Sequence, residues 1–169
     1  MKHLERAANL SVILGVTVFL VLAVRGELLK RQTADTSPHA IIGKTLSLPG
    51  VNFPPQHNSL VLALSTTCHF CKESLPFYRD LAGRLVGQID VIAVLPQPQP
   101  EGQSYMRQAT VNVKQVVSAG LGSIGVHGTP TILLVDSTGK VINVWVGLLN
   151  QKGQQEVLAD ALAKQQSSR

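Results

Sequence analysis

Cysteine is scarce in this chain of 169 residues: it has two, Cys68 and Cys71, and both stand in one motif. No pair is left to staple distant segments, so a packed core has to hold the fold, and the cysteine count gives no sign of an oxidising compartment. Aromatic side chains are also few, at 4%, and no helix face is lined with basic residues. A stacking platform for bases and a continuous phosphate-binding face are both missing, which excludes nucleic acid as a partner. Charged residues make up 15% of the chain and hydrophobic residues 44%. That balance is not the composition of a disordered chain, and it leaves room for one ordinary domain with an appendage.

The appendage comes first. From Ala7 to Val24 a run of 18 residues carries no charge, with Lys2 and Arg6 before it and Arg25, Lys30 and Arg31 after it. This is near the lower limit for a helix that crosses a bilayer. A cleaved signal would need a small-X-small site, which Leu22-Ala23-Val24-Arg25 does not supply. A buried core helix of this kind would be apolar all round. The sequence therefore predicts an uncleaved membrane anchor over 1–25, and its balanced positive flanks do not choose a side. Residues 26–40 are polar, carry Asp35, Thr36, Ser37 and Pro38, and read as a tether.

A globular domain is expected over 41–165, with a frayed polar tail at 166–169. Thr45 to Leu48 is a short strand candidate. Leu60 to Leu64 is almost continuously apolar, the expectation for a central strand covered on both faces. Cys68 to Val86 reads as a helix, since Leu75, Tyr78, Leu81, Ala82 and Leu85 recur at helical spacing, with Pro76 as a kink. Ile89 to Leu95 is a second strong strand, ended by Pro96. Ser104 to Ala119 is a weaker helix, because Val111, Val113, Val116 and Val117 lower its propensity, and Gly120, Gly122 and Gly125 break it. Thr131 to Val135 and Val141 to Val146 flank Asp136-Ser137-Thr138-Gly139-Lys140, which predicts an antiparallel hairpin. Gln154 to Gln165 closes the chain as a helix. This order predicts an α/β domain: two parallel strands joined by a right-handed crossover, an antiparallel hairpin completing a mixed sheet, and helices on both faces.

The chemistry concentrates in Cys68-His69-Phe70-Cys71. A three-residue spacing brings both sulfurs to one face of a helix, close enough to form a disulfide or to grip a metal. Cys68 opens that helix, where unpaired backbone N–H groups and the macrodipole favour a thiolate, so its thiol should ionise below the free value of about 8.5. Haem attachment would need a His directly after Cys71, and Lys72 stands there. A closed structural zinc site needs four ligands, so His69, His127 and His57 would have to supplement the two sulfurs.

The cysteine pair does not stand alone. Pro76 follows Cys71 by five residues, Gly128-Thr129-Pro130-Thr131 precedes the hairpin, and the hairpin turn is of the form Asp-X-X-Gly. Together these resemble the thioredoxin-like superfamily, and within it the membrane-anchored redoxins of the cytochrome c maturation type. The likeness spans Leu46 to Leu162. It implies a thioredoxin-like fold behind one N-terminal transmembrane helix, and a protein thiol:disulfide oxidoreductase that needs no cofactor.

The resemblance also assigns roles. Cys68 is the implied nucleophile and Cys71 the resolving thiol. Pro130 is implied to be cis and to lie against the pair, with the Thr129 backbone binding the substrate chain. The implied partners are protein thiols or disulfides, a redox partner that recycles the cysteines, and a lipid bilayer through the N-terminal helix. The implied location is the cytoplasmic membrane, single-pass, with the domain on the periplasmic, extracytoplasmic side. Four further residues are candidates for tuning. A protonated His69 would favour the Cys68 thiolate, Phe70 offers an apolar contact, Glu73 is a local base for Cys71, and His127 falls on the rim.

Two departures from the thioredoxin pattern stand out. Leu62 occupies the place of a buried Asp, and Thr67 that of a tryptophan. A competing reading is a thioredoxin-fold module that delivers Cu(I) or zinc, holding it with Cys68, Cys71 and His127 or His69. Soft thiolates suit Cu(I), but copper-delivery relatives space their cysteines by three residues rather than two.

Overall fold

The computed structural model describes residues 18–21, 25 and 38–163. The chain forms two compact units, 1–37 and 38–169. Residues 18–21 and 25 of the first unit are helical and exposed. Most of the predicted anchor and tether, and the tail at 166–169, lie outside the described residues. Among those that are described, no helix is long and apolar enough to cross a membrane.

The second unit is built on one strand. β1 (Ser59–Ala63) is buried along its whole length at the centre of a five-stranded sheet, which is why it reads as an unbroken apolar run rather than an alternating one. β2 (Asp90–Leu95) pairs with it in parallel, Leu60 opposite Val91, and β3 (Gln115–Ser118) pairs in parallel with β2. On the other side β4 (Thr131–Val135) runs antiparallel to β1, and β5 (Val141–Val146) antiparallel to β4. The order across the sheet is β3-β2-β1-β4-β5.

α1 (His69–Leu85) carries the chain from β1 to β2, and α2 (Gln99–Gln108) carries it from β2 to β3. Both steps move the same way across the sheet, so right-handed crossovers put both helices on one face. α3 (Gln151–Ala163) joins them there, and the core on this side includes Leu62, Tyr78, Leu81, Met106, Val157 and Ala161. The opposite face is covered by two 3-10 helices, Pro38–Ile41 and Leu121–Ile124, and by the segment through Leu46 and Leu48. Helices thus flank both faces, three α-helices on one side and two short 3-10 helices on the other.

The expected helix from Ser104 to Ala119 does not form. α2 begins five residues earlier, at Gln99, and stops at Gln108. It ends in a Schellman turn: the Val111 N–H reaches the Met106 carbonyl (3.1 Å), the Thr110 N–H reaches that of Arg107 (3.0 Å), and Thr110 adopts φ +56°. The chain then enters β3, where Val116 faces the α-helical side and Val117 the other. Of the four valines that count against a helix, Val111 closes the turn that ends α2, Val113 lies in the loop beyond it, and Val116 and Val117 belong to the edge strand β3.

Two smaller corrections accompany this one. Thr45 to Leu48 forms no strand, only a bridge from Thr45 to Lys140. α3 starts three residues before the expected Gln154, with Asn150 Oδ1 accepting the Gly153 N–H (2.9 Å) as its cap. The predicted hairpin is present. Asp136 Oδ1 accepts from the backbone N–H groups of Thr138 and Lys140, both at 2.9 Å, and Gly139 takes φ +84° in the turn. Burial alone would push the Asp136 carboxyl up, but the Thr138 hydroxyl at 2.6 Å, these backbone bonds and the Lys140 charge outweigh it and hold it below the usual carboxylate range.

Candidate active site

At the end of β1 the chain turns through Ser65, Thr66 and Thr67 and delivers Cys68 as the N-cap of α1, with extended backbone angles of −81° and 121°. The Cys68 sulfur takes the capping role usually filled by a side-chain oxygen, accepting the Cys71 N–H at 3.1 Å. From the other side the chain presents Thr129, whose carbonyl accepts the Cys68 thiol at 3.4 Å, and the Thr129–Pro130 peptide is cis, as the resemblance implies. The Pro130 carbonyl in turn accepts the Gly147 N–H at 2.7 Å, tying this loop to the end of β5. Three stretches far apart in sequence therefore meet at one sulfur.

Both cysteines are free thiols, Cys68 half-buried and Cys71 buried. Their surroundings push them in opposite directions. Burial raises the Cys68 thiol, but hydrogen bonds from the Cys71 thiol, from the Thr129 side chain and from the N–H groups of Cys71 and Phe70 outweigh it, and the net shift is downward. Burial also raises Cys71, and there the bond to Cys68 adds to it, so that its thiol is pushed up to about 12 despite a bond from the Ser65 N–H. One sulfur is readily ionised at the surface and the other keeps its proton beneath it.

Of the sequence candidates, Cys68, Cys71, Thr129 and Pro130 come together. His69 and Phe70 lie on the exposed start of α1, their rings edge to face at 5.7 Å, and Phe70 is 52% exposed. Glu73 is held at 2.8 Å by His69 on this outer side, and neither Glu73 nor His127 is among the groups that shift Cys71. His127 is exposed three residues before Pro130. Among the described residues no three His, Cys, Asp or Glu side chains gather as metal ligands, so a site made of Cys68, Cys71 and His127 or His69 is not assembled in this arrangement.

Sequence reasoning missed what lies behind the pair. Ser65 touches both cysteines through its backbone: its carbonyl accepts the Cys68 N–H (3.2 Å) and its N–H bonds to Cys71. Gln97 sits in a proline-rich turn 29 residues after Cys68, and Glu101 accepts the Thr66 hydroxyl at 2.8 Å. Nothing local in the sequence marks either, because the contact forms only when β2 pairs in parallel beside β1 and sets the chain that follows β2 against the turn that follows β1. Tyr105 has a buried hydroxyl without a hydrogen-bond partner, and burial with the nearby cysteine sulfurs pushes it up to about 12.

The parallel β1–α1–β2 unit, the antiparallel hairpin and a cysteine pair capping the first helix beside a cis proline define a thioredoxin-like fold. Solved structures agree. A structure described as a putative thiol:disulfide interchange protein DsbE from Chlorobium tepidum matches with a TM-score of 0.56 at 20% identity, over 73% of this chain and 99% of that one. A secreted thiol-disulfide isomerase from Corynebacterium glutamicum gives 0.55 at 13% identity, over 73% and 82%. Another thiol-disulfide isomerase from the same organism gives 0.53 at 15%, over 72% and 92%. No protein-family model matches the chain, and no curated protein matches it by sequence.

Proposed function

We propose that this chain is a membrane-tethered thiol:disulfide oxidoreductase that exchanges disulfides with extracytoplasmic protein thiols. The observation that carries the reading is the polarised pair, an accessible Cys68 inclined to ionise above a Cys71 that holds its proton. The Cys68 thiolate attacks one sulfur of a substrate disulfide, and the other substrate sulfur leaves and takes up a proton. Cys71 then loses its proton and attacks the Cys68 sulfur, expelling the second substrate thiolate. Two electrons pass to the substrate, and Cys68 and Cys71 end as a disulfide that a redox partner must reduce. Run backwards, the same steps oxidise a dithiol, so the relative reduction potentials set the direction.

Phe70, 52% exposed, and Leu148, 49% exposed beyond Gly147, supply apolar contact for a client backbone laid along Thr129. The likeness to cytochrome c maturation redoxins favours an apocytochrome's haem-binding cysteines as the client. The uncharged run from Ala7 to Val24 is the anchor of this proposal and the cytoplasmic membrane its location, with the domain on the outer side.

In insulin reduction, Cys68→Ser abolishes turnover, while Cys71→Ser accumulates a mixed disulfide seen on a non-reducing gel. A wild-type protein that carries Cu(I) or zinc through purification and catalyses no exchange overturns this reading in favour of metal delivery. The tether is tested separately: the full chain should stay with membranes through alkaline carbonate extraction. Release into the supernatant sinks the anchor and leaves the redox reading intact.

A further inference from the structure

Behind the cysteine pair lies a clamp that the reaction above does not use. The Gln97 side chain, in the turn just after β2, spans two consecutive residues of the β1–α1 turn. Its Nε2 donates to Ser65 Oγ at 2.9 Å, and its Oε1 accepts the Thr66 N–H at 3.4 Å. Its own backbone is fixed as well, since the Gln97 carbonyl accepts the Ser118 hydroxyl at 2.8 Å from the end of β3. Ser65, the residue so held, is the one whose carbonyl binds the Cys68 N–H and whose N–H bonds to Cys71. We propose that Gln97 is a positioning residue for the resolving step, holding Ser65 by its hydroxyl and by the Thr66 N–H that follows it, so that the backbone of Ser65 is fixed against the cysteine pair and Cys71 is set to attack the Cys68 sulfur.

The inference rests on the reading of the pair as a disulfide-exchange site. Its physical basis is that a backbone N–H stabilises a developing thiolate only if it is already aimed when the proton leaves. Ser65 lies in a turn between β1 and α1, outside the hydrogen-bonded ladder, so something else has to set its orientation. The Gln97 carboxamide uses both its donor and its acceptor to do so. Cys68 depends on this clamp less, because its thiolate is favoured by the N–H groups of Cys71 and Phe70 within α1 itself. Loss of Gln97 should therefore separate the two chemical steps.

The two steps are read with dithiobis(nitrobenzoate), an aromatic disulfide. Cys68 attacks it, releasing one coloured thiolate and forming a mixed disulfide; attack by Cys71 on the Cys68 sulfur releases the second and completes the protein disulfide. Gln97→Met keeps the length and removes both hydrogen bonds, and Ser65→Ala removes the anchor from the other side. In both variants the second release should slow about fivefold, the rate equivalent of one hydrogen bond, while the first stays within about twofold of wild type. The pH midpoint of the second release should rise, and Gln97→Glu, which can still accept from the Thr66 N–H and the Ser65 hydroxyl, should recover part of the lost rate. Wild-type rates for the second release in both variants overturn the proposal, as does equal slowing of both releases, which would mean general distortion. A wild-type protein that shows no second release overturns the exchange reading itself, and the clamp with it.

Discussion

Cys68 and Cys71 are chemically the same group, yet their positions in one helical turn give them opposite protonation preferences. Cys68 caps the helix and receives hydrogen bonds that only a sulfur at the N-cap can collect, while Cys71 points into the core cluster that also holds Leu62. The expected consequence is selective reactivity. With limiting iodoacetamide, peptide mapping should place the label on Cys68 and leave Cys71 unmodified at neutral pH, and the labelling rate should rise with a midpoint below the free-thiol value of about 8.5. The sign follows from the direction of the shift: a lowered value means the thiolate appears at lower pH than in an unfolded chain. Labelling of Cys71 first would contradict the assignment of roles. The motif and its N-cap position were legible in the sequence, because spacing and helix start are local properties. The support from Ser65 and Gln97 was not, since it arises when a later turn folds back on an earlier one.

At the scale of single elements, α2 and β3 show how a missing glycine hides a helix end. The Schellman turn after Gln108 places Thr110 in the left-handed region at φ +56°, a position usually given to glycine, while the glycines at 120, 122 and 125 lie well beyond the break. A threonine there keeps the strain that its Cβ causes. The turn is nonetheless adopted because it buries Val111 and Met106 together in the core. Thr110→Gly should relieve that strain and stabilise the domain by about 1 kcal/mol, measured by urea unfolding. No change or a loss would mean the threonine side chain contributes something the backbone cost does not reveal. The strong strands and α1 were readable from their periodicity. A segment that is helical in its first half and extended in its second averages to a weak helix in any window that spans both.

For the molecule as a whole, β1 is the member on which both halves of the sheet depend, pairing with β2 on one side and β4 on the other. Leu62, a fully buried β1 residue on its α-helical face, should therefore be costly to truncate: Leu62→Ala is expected to lose about 2–5 kcal/mol by the same unfolding measurement. A loss well under that range would show that the helical face collapses to fill the gap. The central strands, the hairpin, the first helix and the two sulfurs in its first turn could all be read from the order of residues alone, because each follows from a pattern or spacing within a few residues. That the three α-helices of the domain share one face, that Thr129 meets Cys68, and that Ser65 and Gln97 stand behind the pair became visible once the chain was folded. Those outcomes depend on which strands become neighbours, and neighbour choice is settled by burying both faces of β1 at once, a condition that no short stretch of chain contains.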